Sequence, residues 1–186
     1  MSNDMSNTTN STLVSKALEF ATVKHEGQFR KGKDESPYIN HPIALVDVLT
    51  KEAGIDDPAI LCAALLHDTI EDTNTTQKEL VDAFGQSIAD IVLEVSDDKS
   101  LAKKERKEHQ IAHAPHLSSK AKAVKLADKT SNLRDLISSP PTNWDTERKL
   151  DYFDWAKAVI DGLRGEWPDL ETIFDAEFQR KNHVGD

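Results

Sequence analysis

The chain has 186 residues, of which 38% are hydrophobic and 30% are charged, and its formal net charge at pH 7 is −10. This length suits a single globular domain, and no apolar run approaches the length of about 18 residues that a membrane-spanning helix needs. The acidic balance argues against binding to nucleic acid or to an anionic membrane surface, because both would repel the protein. A phosphate-bearing ligand would therefore need a metal ion or a local cluster of basic side chains.

The first residues, MSNDMSNTTNST, are polar and lack the basic start and the apolar stretch of a secretory signal. We expect a disordered N-terminal tail at 1–12, one domain at 13–183 and a cytoplasmic location. The single cysteine, Cys62, lies among apolar residues, so we give it a structural role and no chemical one. The sequence does not indicate an oligomeric state.

Apolar residues recur with helical spacing, and no alternating strand of useful length is present. A first amphipathic helix is predicted from Leu13 to Gly27, and a second begins at His41-Pro42, because proline is favoured at the first helical position. Thr76 and Glu79 form a capping box for a short helix that ends at Gly85. Further helices are predicted at 88–95, 99–109, 118–137, 145–165 and from 167 onward. The expected fold class is all-α, an irregular multi-helix bundle.

The stretch at 61–73, LCAALLHDTIEDT, combines a helix that is apolar on every side with four ionisable residues. The apolar part is typical of a helix in the middle of a bundle. His67, Asp68, Glu71 and Asp72 follow within six positions, at spacings that make neighbours on a helix. Charges this close to a core must be paired, hydrated or bound to a metal. The alternative is that the helix simply leaves the core after Leu66 and becomes solvated.

Two other segments carry basic side chains that an anion would need. The loop FRKGKDESPYIN holds Arg30, Lys31 and Lys33 beside glycine, and the sequence alone allows either a solvated loop or one that grips phosphate. The segment from Lys99 to His109 mixes charges of both signs, which usually indicates a solvated helix, although its basic residues could help to attract an anion.

Four residues from three distant segments form a candidate metal site. His41 lies at a helix N-terminus, His67 and Asp68 end the apolar helix, and Asp128 shares a helical face with Val124. Two imidazoles and two carboxylates suit manganese, iron or zinc and leave positions for water and substrate. Each histidine taken singly could instead be a satisfied core residue.

The order H…HD…D resembles the HD-domain phosphohydrolases. Three longer stretches, HEGQFRKGKDESPYINHP at 25–42, ALLHDTIEDT at 64–73 and VKLADKTSNLRDL at 124–136, look like the hydrolase domain of the RelA/SpoT alarmone enzymes. The short chain and the stretch DYFDWAKAVIDGL at 151–163 resemble the stand-alone small alarmone hydrolases, including the metazoan SpoT homologues. The loop between Arg30-Lys31 and Pro37-Tyr38 also resembles the small hydrolases, being longer than in the long bifunctional enzymes.

This resemblance, which covers about residues 13–180, implies roles for twelve residues. The implied metal ligands are His41, His67, Asp68 and Asp128, with manganese as the usual ion and iron or zinc as alternatives. Glu71 and Asp72 are implied in the hydrolytic step. The implied contacts to the nucleotide or its phosphates are Arg30, Lys31, Asn132 and Tyr152, with Lys125 and Arg134 as supports. From the residues alone, Tyr152 could equally be a half-buried core tyrosine.

The expected reaction is hydrolysis of the 3′-diphosphate of guanosine 3′,5′-bis(diphosphate), ppGpp or pppGpp, to GDP or GTP and pyrophosphate. A second hypothesis is removal of the 2′-phosphate of NADPH or hydrolysis of another nucleotide. A third is a nucleotide sensor without catalysis, against which the complete set of ligands and carboxylates argues. In each case the expected partner is a small-molecule nucleotide, with no nucleic acid and no membrane.

Overall fold

The structure is a computed structural model that describes residues 2–184, with side chains described from residue 10 onward. Within these residues the chain forms ten α-helices and no β-strand, apart from one isolated bridge between Phe29 and Pro37. The helices are α1 (Ser2–Lys24), α2 (Asn40–Asp47), α3 (Pro58–Leu66), α4 (Thr69–Asp72), α5 (Gln77–Phe84), α6 (Gln86–Val95), α7 (Lys103–His113), α8 (Ser119–Ser138), α9 (Thr146–Asp161) and α10 (Pro168–Gln179). The predicted all-α class is confirmed.

Short irregular turns extend three of these helices. A π-helical turn, Val48–Glu52, follows α2, and 3₁₀ turns follow α7 at Ala114–His116 and α10 at Arg180–His183. The helix α1 starts at Ser2, whereas the sequence predicted a start at Leu13. Most of the predicted tail at 1–12 lies outside the part of the chain whose side chains are described, so the division into tail and domain stays a prediction.

The helix α3 lies at the centre of the bundle. Pro58 occupies its first position, and Asp57 Oδ1 accepts hydrogen bonds from the backbone N–H groups of Ala59 and Ile60 at 2.8 and 3.4 Å. Every residue from Ile60 to Leu66 is buried, because α1, α2, α6 and α8 pack around this helix. Burial on all sides fixes the position of the residues that follow it.

The sequence suggested one continuous helix through Leu66 to Asp72, but the helix ends at Leu66. Asp68 adopts φ −100° and ψ 0°, which turns the chain before the short helix α4. Side chains bond to the carbonyl groups at this break: Thr69 Oγ1 donates to Leu66 O at 2.7 Å, and His67 Nδ1 bonds to Ala64 O at 2.7 Å. The break therefore leaves few backbone groups unsatisfied.

The long helix α8 crosses α2 and α3 and carries Asp128 to the same region. Its N-terminus is capped by Ser118, whose Oγ accepts from the N–H of Ala121 at 3.3 Å. On the outside of the bundle, α7 packs against α9, where Trp155 Nε1 donates to Lys107 O at 3.1 Å. None of the helices in the described part of the chain is both long and apolar enough to cross a membrane.

Candidate functional site

A cavity of about 390 Å³ opens where the ends of α2 and α3 meet α4 and α8. Eleven of the twelve residues singled out from the sequence line it: Arg30, Lys31, His41, His67, Asp68, Glu71, Asp72, Lys125, Asp128, Asn132 and Tyr152. The twelfth, Arg134, does not. The fold thus collects one site from segments that are far apart in sequence, and the roles of the individual residues stay predictions.

Three potential metal ligands converge on one point of this cavity. One donor atom each from His41, His67 and Asp128 lies within 4.8 Å of the others, and all three residues are buried. Asp128 Oδ1 lies 3.2 Å from His41 Nε2 and 4.0 Å from His67 Nε2. Across the described residues no other group of three or more such side chains meets this criterion. Two imidazoles and a carboxylate suit a divalent transition metal.

The hydrogen bond that His67 Nδ1 makes at the end of α3 leaves Nε2 as the nitrogen that could bind a cation. Nδ1 bonds to Ala64 O, and because a carbonyl oxygen only accepts, Nδ1 carries the proton. Nε2 is buried and makes no hydrogen bond of good geometry to the residues described, although Asp68 Oδ2 lies 3.0 Å away. An unsatisfied buried nitrogen is costly, and coordination to an ion would remove that cost. The residues present therefore fit a divalent ion.

The fourth predicted ligand, Asp68, lies beside this group but not within it. Its Oδ2 is 3.0 Å from His67 Nε2 and accepts a hydrogen bond from the Tyr38 hydroxyl. Tyr38 is held in turn by the buried ring of His25, whose centroid is 4.5 Å away. The role of Asp68 as a ligand stays a prediction, and Tyr38 is a site residue that the sequence did not single out.

The electrostatics of the cavity favour a positive charge at the group formed by His41, His67 and Asp128, which we call the ligand cluster. Burial alone would raise the pKa of the Asp128 carboxyl, but Lys129 and His41 hold it well below its usual range. Burial lowers the pKa of His41. Burial also opposes a charge on His67, yet the carboxylates of Asp68 and Asp128 outweigh it and raise the pKa of His67 to about 9. Without an ion the two carboxylates favour a proton on His67, and a divalent cation bound at the same point would replace that proton.

The two carboxylates of α4 have different surroundings. Burial raises the pKa of Glu71, whose Oε2 accepts from the backbone N–H of Asp97 at 3.0 Å. Asp72 lies nearer to solvent and pairs with the ammonium group of Lys99. A carboxyl with a raised pKa, such as that of Glu71, is suited to exchange a proton.

Arg30 links the basic loop to the ligand cluster. Its guanidinium donates to Asp135 Oδ2 at 2.5 and 3.1 Å and to Asn132 Oδ1 at 2.8 Å. Asn132 Nδ2 then donates to Asp128 Oδ1 at 2.6 Å. The loop approaches α8 closely at Gly32, where a Cβ atom would lie 2.8 Å from Ser139 Oγ. Lys31 is exposed at the cavity mouth.

Two more of the predicted substrate contacts lie at the cavity wall. Lys125 is buried and donates to Val95 O at 2.7 Å, and burial lowers its pKa. Tyr152 lies between Trp144 and Trp155, with ring centroids 5.9 and 5.1 Å away. Burial raises the pKa of Tyr152 to about 12, so its hydroxyl stays a hydrogen-bond donor at neutral pH.

Arg134 lies outside the cavity, and its role as a support stays a prediction. Its guanidinium donates to Glu177 at 2.8 Å and to Glu52 at 2.6 and 2.8 Å, and it does not line the cavity. Six residues along a helix correspond to a rotation of about 240°, so Arg134 points away from the side of α8 that presents Asp128. Its observed contacts tie α8 to α10 and to the turn after α2.

A second cavity, of about 800 Å³, adjoins the first and shares Lys31, Glu71 and Tyr152 with it. We call it the basic annex, because six basic side chains line it: Lys31, Lys99, Lys103, Arg106, Lys107 and Arg148. The guanidinium of Arg148 stacks 4.2 Å from the ring of Trp144. Burial and neighbouring cations lower the pKa of Lys103 and of Lys107. The segment predicted as a solvated helix therefore contributes to a local positive surface.

A family model described as HD domain matches residues 17–152, which is well over half of the chain. The chain belongs to the HD domain family. This chain is 52% identical over 166 residues to a protein of Xenopus tropicalis called guanosine-3′,5′-bis(diphosphate) 3′-pyrophosphohydrolase MESH1. The similarity covers 89% of this chain and 93% of that protein. The human protein of the same name is 49% identical over 165 residues, covering 89% and 92%.

A solved structure has the same HD domain architecture. It superposes with a TM-score of 0.88 at 45% sequence identity, covering 92% of this chain and 97% of the other. That protein is described as a metazoan ortholog of SpoT that hydrolyses ppGpp and plays a role in starvation responses. The likeness extends over nearly the whole of both chains.

Proposed function

We propose that the chain is a metal-dependent hydrolase that removes the 3′-diphosphate of ppGpp or pppGpp and releases pyrophosphate with GDP or GTP. The observation that carries this proposal is the convergence of His41, His67 and Asp128 in a cavity that opens into a basic annex. A cation site next to a positive surface suits a substrate that carries two groups of phosphates. The printed names of the relatives support the choice of ppGpp.

We assign the divalent ion to His41, His67, Asp68 and Asp128, with manganese as the expected metal and iron or zinc as alternatives. Asp68 would bind the ion through one carboxylate oxygen, while the other accepts the hydrogen bond from the Tyr38 hydroxyl. When bound, such an ion polarises a phosphoryl oxygen and lowers the pKa of a coordinated water. The hydrogen bonds of Asn132 and Lys129 to Asp128 orient the carboxylate that would hold it.

We assign the proton transfer to Glu71. In the proposed step, a water oxygen forms a bond to the phosphorus attached to the ribose 3′-oxygen, and the bond from that phosphorus to the 3′-oxygen breaks. Glu71 takes a proton from the water and returns it to the 3′-oxygen. The pKa of Glu71 is raised by burial, which brings it closer to the pH at which a general base and acid works well. Asp72, paired with Lys99, would orient the water or the lysine.

Basic side chains on two sides would bind the phosphates. Arg30 and Lys31 lie at the mouth of the first cavity and suit the 3′-diphosphate, with Asn132 holding Arg30 in place. The annex offers its lysines and Arg148 to the 5′-phosphates. Tyr152 offers a ring face and a hydroxyl donor, and Lys125 supports the wall behind them.

Product identification tests the proposal. The purified chain incubated with ppGpp and Mn²⁺ should release pyrophosphate and GDP, and EDTA should stop the reaction. His67→Ala should abolish turnover, whereas His183→Ala, which changes an exposed histidine outside the cavity, should not. NADPH in a parallel reaction tests the second hypothesis: faster release of orthophosphate from NADPH than of pyrophosphate from ppGpp would overturn the substrate assignment. Binding of ppGpp without turnover would indicate a sensor.

The proposal also covers the setting of the enzyme. We propose a cytoplasmic location and a small-molecule nucleotide as the only partner that catalysis needs, with no nucleic acid and no membrane. Imaging of a tagged full chain would test the location. Turnover measured with and without added RNA or lipid vesicles would test the independence from other partners.

A further inference from the structure

Three exposed histidines lie at the C-terminal end of α7 and in the 3₁₀ turn after it, and none of them takes part in the proposed hydrolysis. His109 and His113 are one helical turn apart on the same face, and their ring centroids are 3.9 Å apart at an interplanar angle of 75°. The ring of His116 is 6.5 Å from that of His113. The sequence offers no structural reason for two imidazoles in contact at this surface.

We propose that His109 and His113 together bind one divalent ion of the zinc, nickel or copper class. Imidazole nitrogens bind such ions at about 2.0–2.1 Å, so two ligand nitrogens must come to about 3 Å from each other. Because the ring centroids of His109 and His113 are already 3.9 Å apart, we expect side-chain rotation alone to bring two nitrogens to that separation. Imidazole suits zinc, nickel and copper, whereas manganese and magnesium prefer oxygen ligands. Water would fill the remaining coordination positions.

The backbone under these two histidines is already fixed. The first turn of α7 is held by Glu105, whose Oε2 accepts from the N–H of Ala102 at 2.9 Å. The middle of α7 is held by Trp155, whose indole N–H donates to the carbonyl of Lys107. Because the helix is formed before an ion arrives, chelation does not have to order the chain.

Acidic groups around the pair favour a cation. A cleft of about 230 Å³ beside α7 is lined by His109 and His113 together with two acidic side chains, Glu94 and Asp97, and one basic side chain, Lys125. Asp98 is also near: its pKa is lowered mainly by hydrogen bonds from Ser100, and the proximity of His109 contributes. A local negative potential raises the concentration of cations at such a surface. Lys103 and Lys107 lie about 120° around the helix from His109 and His113, respectively, whereas Arg106 lies about 60° from His109.

Calorimetric titration of the full chain with Ni²⁺ tests this site. The protein is stripped with a chelator and dialysed before the titration. Wild type should bind one more Ni²⁺ than the double variant His109→Ala/His113→Ala. Each single alanine variant should weaken binding at this extra site by about 10²-fold, because the second ligand then no longer binds at high effective concentration. His183→Ala, a change in another exposed histidine, serves as the matched control and should titrate like wild type.

Several results would overturn the proposal. Equal Ni²⁺ stoichiometry in wild type and in the double variant would show that the pair is not a site. Loss of the extra site in His116→Ala, with retention in the two single variants, would assign it to other ligands. Hydrolysis of ppGpp with Mn²⁺ should be the same in wild type and in the double variant, so the outcome is independent of the proposed function. These surface changes remove no buried side chain, and circular dichroism should confirm an intact fold.

Discussion

Replacing Glu71 by glutamine separates proton transfer from shape. The amide has nearly the same size, and its oxygen can still accept the hydrogen bond that Asp97 N–H gives to Glu71 Oε2 at 3.0 Å. It cannot take a proton from water or return one. We therefore expect kcat for ppGpp to fall by about 10²–10⁴-fold, the usual contribution of general acid and base catalysis. KM should change little, since no phosphate contact is removed.

The same variant should be more stable than wild type at neutral pH. Burial raises the pKa of Glu71, so the folded state binds its proton more tightly than the unfolded state does. At any pH where the carboxyl is charged, keeping that charge inside the fold lowers the free energy of unfolding. Below the pKa of an unfolded glutamate both states hold the proton, and the cost disappears. Urea unfolding of the metal-free proteins should show a gain for Glu71→Gln that shrinks as the pH falls through the acid range.

Two comparison variants decide what the result means. Asp72→Asn removes the neighbouring carboxylate, and Asp82→Asn removes one that forms an exposed ion pair with Lys78 on α5. The Asp82 variant should keep wild-type turnover in the pyrophosphate release assay. If Glu71→Gln keeps wild-type turnover while Asp72→Asn loses it by 10² or more, then Asp72 is the proton carrier and the reasoning from burial is wrong.

Three further predictions follow from other contacts. EDTA should abolish turnover, and Mn²⁺ should restore it. Activity that persists in protein shown by mass spectrometry to be free of metal would contradict the metal role. Arg30→Ala should raise KM for ppGpp by about tenfold or more through loss of a charge-assisted phosphate contact, whereas Lys33→Ala in the same loop, outside both cavities, should leave KM unchanged. Arg134→Ala should lower the free energy of unfolding by about 2 kcal/mol, because Glu177 is mostly buried and loses a charged partner. A change in KM without a loss of stability in urea would show instead that Arg134 supports substrate binding.

The helices and the centre of the site could be predicted because their signals are local. An apolar run such as Ile60–Leu66 leaves a helix no face for water, so its central position follows from the sequence alone. The Thr76–Glu79 capping box acts within one turn, and the structure contains it. The convergence of His41, His67 and Asp128 came from helical spacing and a family resemblance together.

The remaining parts depend on packing between distant segments. The bond from Tyr38 to Asp68 and the one from Asp97 N–H to Glu71 are made by residues with no distinguishing pattern of their own. The turn at Asp68 was missed because helical spacing continues through it, and only the hydrogen bonds of His67 and Thr69 to preceding carbonyls show the break. The pairing of Arg134 with Glu52 and Glu177 could not be predicted either, because the three residues come from distant segments.

Lys129, which the sequence analysis passed over, explains why the ligand cluster can stay open to substrate. Its buried ammonium group donates to Asp128 Oδ2 at 2.9 Å, and it lies 4.6 Å from the ring of Trp155. Oδ1 also accepts a hydrogen bond, from Asn132, but it is the oxygen nearest to His41 and His67 and therefore the one expected to bind an ion. A carboxylate that binds through one oxygen leaves more coordination positions for water and phosphate than one that binds through two. The lysine also offsets part of the negative charge of Asp68 and Asp128, which reduces their repulsion of an incoming diphosphate. We therefore expect this site to bind the ion less tightly, and to attract the diphosphate more strongly, than the same site without Lys129.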